Sequence, residues 1–281
     1  MNKFKNKKID IVILQYPVSD NINKNLADLI KNINNIKVTK DITIGISHEL
    51  SYLKYFPIAK NINNKKNAIN MSSKIIKDIL YICAKKNIFF LFSFFEKSNG
   101  KFYNSSILIS PDGVILDKYR KRNIPNEKCY EEGYYFNESK NKHAVIDIGE
   151  CKIGLMTCWD QWHSESYQQM NKLGADIILC PTSIGSPYYK GEYIGLNKEK
   201  EKWINVIAAN SLMINTPIVI ANRSGKEKDK DNMINFWGSS FVTDANGDII
   251  FMNKSKKSTN HITVNLAQKK ISKKSWSFCP K

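Results

Sequence analysis

Apolar residues along this chain keep two rhythms: alternation in short runs, and a repeat of about 3.6 in longer ones. Short β-branched or aromatic runs predict strands at residues 9–15, 42–46, 88–94, 105–109, 114–117, 144–148, 153–157, 177–180, 218–221, 236–242, 248–251 and 261–264. Helical spacing predicts helices over 22–35, 68–86, 165–173 and 197–213. In the second helix Ile69, Ile75, Ile76, Ile79, Ile82 and Cys83 form one stripe, and Trp203, Val206 and Ile207 do so in the fourth. Such stripes are core faces. Pro111-Asp112-Gly113 and Ala245-Asn246-Gly247 are tight turns that make hairpins of the strands around them. Hairpins mixed with helices predict an α/β domain with a mixed sheet, and no dinucleotide-binding alternation.

No Pro/Gly/Ser-rich linker and no internal repeat divides the 281 residues, so a single domain is expected. The lysine-rich segments 61–67, 226–232 and 254–258 are expected to be exposed loops. Gly45, Gly113 and Gly154 are isolated, which excludes a Gly-rich phosphate loop.

The formal charge of +17 raises nucleic acid and acidic membrane as partners. Its make-up argues against both. Lysine supplies nearly all of it, scattered among asparagine and isoleucine, and only Arg120, Arg122 and Arg223 offer the forks preferred for phosphate and base contacts. Six cysteines without a CxxC pair indicate a reduced, cytoplasmic setting and no zinc site of familiar spacing. The first apolar run, residues 9–14, is too short for a signal core or a membrane span.

Chemistry concentrates in Lys152-Ile-Gly-Leu-Met-Thr-Cys158-Trp-Asp-Gln-Trp162. A cysteine between a strand and a helix can present its sulfur at the end of a sheet, where a helix N-terminus favours the thiolate. A buried apolar role is the competing reading. A nucleophile needs a base, an oxyanion partner and a proton for the leaving group. The four histidines (His48, His143, His163, His261) have no evident orienting partner, which leaves carboxylates and lysines. Glu49 follows a predicted strand within GISHELSYLKYFP, and Lys121 follows another within DKYRKRNIP. Taken singly, each is indistinguishable from a solvated charge.

The ordered set of Glu49, Tyr119-Arg120-Lys121 with Ile124-Pro125, and Cys158-Trp-Asp-Gln-Trp162 resembles the carbon–nitrogen hydrolase (nitrilase) superfamily. Further segments, among them Ser93-Phe94-Phe95-Glu96, Tyr130-Glu131-Glu132, Pro181–Ser186 and Ala221-Asn222-Arg223, are similar to its N-carbamoylputrescine amidase branch. The resemblance implies a four-layer α-β-β-α sandwich in one domain, 1–281, with its core at about 9–251 and a C-terminal tail, 252–281, at a subunit interface. It implies no cofactor, no metal and a homo-oligomer.

It also implies site roles: Cys158 as nucleophile, Glu49 as proton carrier, Lys121 with the backbone N–H after Cys158 as oxyanion partner, and Glu132 as the second carboxylate. Glu131 is chemically identical to Glu132 and adjacent, and the position before Tyr134-Tyr135-Phe136 favours Glu132. Trp159, Asp160 and Ser183 are candidate substrate contacts. In the carbamoylputrescine branch an acid commonly follows the Gly-Ser that here is Gly185-Ser186, but Pro187 stands in its place, and Glu192 is the candidate substitute. The implied reaction converts N-carbamoylputrescine and water to putrescine, carbon dioxide and ammonia. Another N-carbamoyl amine, an N-carbamoyl amino acid or a linear amide is the alternative substrate, and an inert scaffold of the same fold the alternative class.

Overall fold

Alternate residues of the first strand enter different cores: Ile9, Ile11 and Ile13 face one, Val12 and Leu14 another. This split recurs through a computed structural model that describes residues 8–39, 42–140 and 143–268. The first half of the chain contains β1 (Lys8–Gln15), α1 (Ile22–Asn34), β2 (Thr43–Ser47), α2 (Lys74–Lys86), β3 (Phe89–Ser98), β4 (Lys101–Ile109) and β5 (Ile115–Arg120). The middle contains β6 (Ala144–Asp147), β7 (Lys152–Leu155), α3 (Ser164–Lys172), β8 (Ile177–Thr182), β9 (Gly185–Tyr189) and β10 (Glu192–Tyr193). There follow α4 (Glu199–Ile214), β11 (Ile218–Asn222), β12 (Ser224–Asp229), β13 (Asn232–Trp237), β14 (Phe241–Thr243), β15 (Ile249–Met252) and β16 (Ser258–Asn265).

Two six-stranded mixed sheets, β16-β1-β2-β3-β4-β5 and β15-β14-β11-β8-β7-β6, lie face to face. Between them pack Ile44, Ile46, Leu91 and Leu108 from the first and Ile153, Leu155, Leu179 and Val219 from the second. The outer face of the first sheet (Phe90, Phe92, Phe94) packs on Leu29 and Ile33 of α1 and Ile76 and Ile79 of α2. The outer face of the second (Ile178, Cys180, Ile220) packs on Tyr167 and Met170 of α3 and Trp203 and Ile207 of α4. The result is the expected α-β-β-α sandwich, because strands buried on both faces must be apolar on both. A smaller sheet, β10-β9-β13-β12, is added at one side.

Local differences from the sequence expectation have physical causes. The second helix begins at Lys74, not at Ala68, because Ser73 caps it and the backbone of Ile69 is bonded to Phe95 and Lys97. The run at 236–242 divides into β13 and β14 where Gly238 and Ser239 take φ of 59° and 51°. Segment 226–232 is a hairpin of β12 and β13, not a loop. Strand β16 pairs along β1, so the first sheet continues past residue 251. Residues 269–281, with Cys279 and the last part of the tail expected at an interface, lie outside the described residues. Among the described residues no helix is long and apolar enough to cross a membrane.

One buried charge ties three strands together. Glu96 of β3 accepts hydrogen bonds from Ser105 of β4 (2.6 Å), Lys118 (2.5 Å) and Arg120 (2.7 and 2.8 Å) of β5. Burial alone would raise its carboxyl, but the bonds from Arg120, Lys118 and Ser105 outweigh it and hold the group at about 2. Ionised Glu96 therefore contributes stability that is complete above the ordinary value of 4.5 and is lost as pH falls toward about 2. In urea titrations, Glu96→Gln is expected to be less stable at neutral pH and to show a shallower loss of stability between pH 4.5 and about 2. Equal slopes for the two proteins would remove Glu96 from the acid response.

Candidate active site

Four chain segments end at one place. Glu49 lies two residues beyond β2, in a turn where buried Leu50 takes a φ of 49° and its N–H donates to Ser93 Oγ (3.0 Å). Lys121 is the residue after β5, its N–H donating to the Asn104 carbonyl (2.8 Å). Glu132 opens a short 3-10 turn, Glu132–Tyr134, that receives the N–H groups of Tyr135 and Phe136 on its carbonyl. Cys158 opens another, Cys158–Trp162, beyond β7, with a φ of 43°. Positive φ at a leucine and a cysteine is strained backbone, held only where the surroundings dictate it.

The side chains meet without water-exposed surface. Lys121 Nζ donates to Glu49 Oε1 (3.0 Å) and to both oxygens of Glu132 (2.9 and 2.7 Å), and all three side chains are fully buried. Asn104 Nδ2 donates to the same Glu49 oxygen (2.7 Å), and Tyr55 Oη to Glu132 Oε1 (2.6 Å). Glu49 Oε2 is buried and accepts no hydrogen bond among the described residues. Burial by itself would lower the Lys121 ammonium's pKa, but Glu132 and Glu49 reverse this and keep it charged. Burial pushes Glu132 up to about 7, with Lys121 opposing the rise and Glu49 adding to it.

The Cys158 thiol is also pushed up, well above the ordinary range, by burial first and then by Glu49, with Lys121 opposing. This corrects the expectation of a lowered thiol pKa. The cysteine opens only a 3-10 turn, and the two carboxylates outweigh the single ammonium. The resting sulfur is a protonated thiol, so a base must take its proton at the moment of attack.

Cys158 and Trp159 line a cavity of about 270 Å³ with Pro125, Tyr130, Ile184 and Glu199. Asp160, Ser183 and Glu192 are not among the residues that line this cavity, although the Ser183 backbone is hydrogen-bonded to the Cys158 thiol. Asp160 is buried with both oxygens engaged, by Tyr119 Oη (2.7 Å), Thr157 N–H (2.9 Å), and Asn123 N–H and Nδ2 (3.0 and 2.9 Å). It braces the cysteine turn against Lys121's own segment. Ser183 Oγ donates to the Glu49 carbonyl (3.2 Å) and accepts from Arg223 Nε (3.0 Å), which makes it part of the support for Glu49. Glu192 is exposed on the edge strand β10 and does not line the cavity. His48 is buried and held neutral, mainly by burial, with Nδ1 at 3.0 Å from the Glu49 carbonyl.

Three supporting residues received no role from the sequence: Tyr55, Asn104 and, within a segment quoted only for its resemblance, Arg223. Its guanidinium, fully buried, donates to the carbonyls of Glu49 (2.9 Å), Leu50 (3.1 Å) and Leu53 (3.0 Å) and pairs with Glu227 (2.7 Å). One signal was available: Arg223 is an arginine in a chain whose cations are nearly all lysine. Among the described residues no three His, Cys, Asp or Glu side chains are grouped as metal ligands.

A family model described as carbon-nitrogen hydrolase matches residues 15–274. The chain belongs to the carbon–nitrogen hydrolase (nitrilase) superfamily. It is 35% identical to a citrullinase from Francisella tularensis over 86% of this chain and 83% of that one. It is 30% identical to an N-carbamoylputrescine amidase from Arabidopsis thaliana over 87% and 82% of the two. A solved carbon-nitrogen hydrolase from Helicobacter pylori superposes with a TM-score of 0.87, at 24% identity over 97% of this chain and 94% of the other. The sandwich is thus a nitrilase-type fold, and the chain is a hydrolase of non-peptide C–N bonds by membership.

Removing the cation of a buried triad leaves like charges uncompensated. Lys121→Met is expected to lose about 3–5 kcal/mol at pH 8. Part of this should return as pH falls and Glu132, already raised to about 7 in the native protein, takes up a proton. Urea midpoints of variant and native protein between pH 8 and 5 measure it, and a deficit that does not narrow would contradict the buried triad.

Proposed function

We propose that the protein hydrolyses the terminal carbamoyl group of an aliphatic ureido compound with an amine at its far end: R–NH–CO–NH2 + H2O → R–NH2 + CO2 + NH3. The observation that carries this reading is the buried Lys121 ammonium bonded to both Glu49 and Glu132, with the Cys158 thiol subject to all three charges at a cavity wall.

Cys158 Sγ attacks the carbamoyl carbon while its proton passes to Glu49, whose Oε2 is the open acceptor. The carbonyl oxygen gains negative charge beside the Lys121 ammonium and the Trp159 N–H, which lies in the first turn of a 3-10 helix and has no intrahelical acceptor. Glu49 returns the proton to the departing nitrogen, leaving a thioester-type bond to sulfur. Water then adds with Glu49 as base, the C–S bond breaks, and the thiol is restored. The carbamic acid product loses carbon dioxide. Glu132 holds Lys121 in place, itself held by Tyr55.

N-carbamoylputrescine is the substrate expected from the resemblance, and the named amidase relative supports it. Citrulline is the second reading, favoured by the citrullinase relative at higher identity. Each molecule has four carbons between the ureido nitrogen and the amine, and citrulline adds a carboxylate on the carbon that bears the amine.

Ammonia release from the two compounds tests the chemistry. Cys158→Ser is expected to abolish turnover, and Glu49→Gln to lower kcat by about 10²–10⁴-fold. Turnover surviving both substitutions would eliminate this site. A second measurement addresses the cluster. Glu132 must be ionised to hold Lys121, so kcat/KM should decline as pH falls through about 7. The Tyr55 hydrogen bond lowers the Glu132 pKa, so Tyr55→Phe should move that acid limb to higher pH. A limb that stays in place or moves down would detach Glu132 from the profile.

A further inference from the structure

The cavity that reaches Cys158 carries charge of both signs. Its wall includes Glu127, Lys128 and Glu199 among mainly apolar neighbours. Glu127 and Lys128 sit on an exposed loop, whereas Glu199, the first residue of α4, is half-buried. Pro187, which occupies the place after Gly185-Ser186 where an acid was looked for, also lines this cavity and brings no charge.

Glu199 is set for a cation. Its carboxylate accepts a hydrogen bond from the Leu196 backbone and lies 3.2 Å from Tyr193 Oη, whose one proton has the closer Leu196 carbonyl as its partner, and Lys202 acts on it only through space. Burial raises its carboxyl above the ordinary value, a cost that a bound ammonium would offset. Room for it is provided by Gly195, where a Cβ would fall on Glu199 Oε2 and on Tyr193 Oη. Tyr193 Oη is anchored in turn on the Leu196 carbonyl (2.6 Å). Lys128 is the complementary group. Its ammonium stands over the Tyr189 ring, 4.4 Å from the centroid, and among the described residues no carboxylate is bonded to it. A diamine head would satisfy Glu199 and set a like charge near Lys128. A head that carries an ammonium and a carboxylate offers a partner to each of these two wall residues.

We propose that Glu199 and Lys128 receive the α-ammonium and α-carboxylate of an ω-ureido α-amino acid whose carbamoyl carbon reaches Cys158. The proposal rests on the hydrolytic reading above and narrows it to the zwitterionic substrate.

Three probes separate the charges: citrulline has both, N-carbamoylputrescine only the ammonium, and n-butylurea neither. The native protein is expected to favour citrulline in kcat/KM. Glu199→Gln should lower kcat/KM for citrulline and N-carbamoylputrescine by about 10- to 100-fold relative to n-butylurea, as for loss of a charge-assisted hydrogen bond. Lys128→Met should lower citrulline about tenfold relative to N-carbamoylputrescine, mainly through KM. Preference for N-carbamoylputrescine, or a ratio indifferent to Lys128→Met, overturns the proposal and leaves the hydrolytic reading standing. Should no probe release ammonia, protection of Cys158 from iodoacetamide decides. Selective protection by citrulline, lost in Lys128→Met, keeps the pocket and removes the hydrolysis; no protection overturns both.

Discussion

A lysine ammonium confined between two carboxylates in a dry interior governs this structure. Lys121, Glu49 and Glu132 come from segments separated by up to 83 positions, and none is stable where it lies without the others (Glu49 and Glu132 bound that span). Burying one such ion costs several kcal/mol, repaid only with good geometry and satisfied lone pairs. Tyr55 and both Lys121 contacts meet that condition on Glu132, whereas Asn104 and Lys121 satisfy only one oxygen of Glu49 and leave Oε2 open. The arrangement is therefore better understood as a device for holding charge in a fixed direction than as a source of stability.

The backbone around the cluster is built to the same end. Two non-glycine residues with positive φ, Leu50 and Cys158, adjoin or carry the reacting groups. Each is clamped by a buried ionic side chain. Arg223 gathers the carbonyls of residues 49, 50 and 53, and Asp160 collects the N–H groups of Thr157 and Asn123. Strain of this kind persists only where the surroundings over-determine it. Asp160 and Ser183 contribute to that support through their own hydrogen bonds.

Legibility in the sequence followed from whether a residue's role leaves a periodic or motif-like trace. Strands buried between sheets and helices are apolar on both sides, so β1, β3 and β8 were visible as runs. Strand β12 was hidden because its inward residue is Glu227, which answers Arg223 instead of joining the core. Strand β9 was hidden by Pro187 within Gly185–Tyr189. Cys158, Lys121, Glu49 and Glu132 could be assembled because their order along the chain is distinctive. Tyr55, Asn104 and Arg223 are single polar positions whose meaning exists only in three dimensions. The thiol's protonation was misjudged for a related reason, since the sequence gives no account of how many carboxylates surround the sulfur.

The charge of the whole molecule bears on which substrate such a site can use. At +17 the surface produces a positive potential that opposes the approach of a monocation. At physiological ionic strength that field is screened over about 8 Å, so its influence is greatest near exposed charges such as Lys128 on the cavity wall. A zwitterion crosses such a field with little net work, which agrees with the proposed placement of its carboxylate at Lys128 and its ammonium at Glu199. On the proposed reading, the lysine-rich surface and the mixed-sign cavity would select in one direction, against a molecule with positive charge alone.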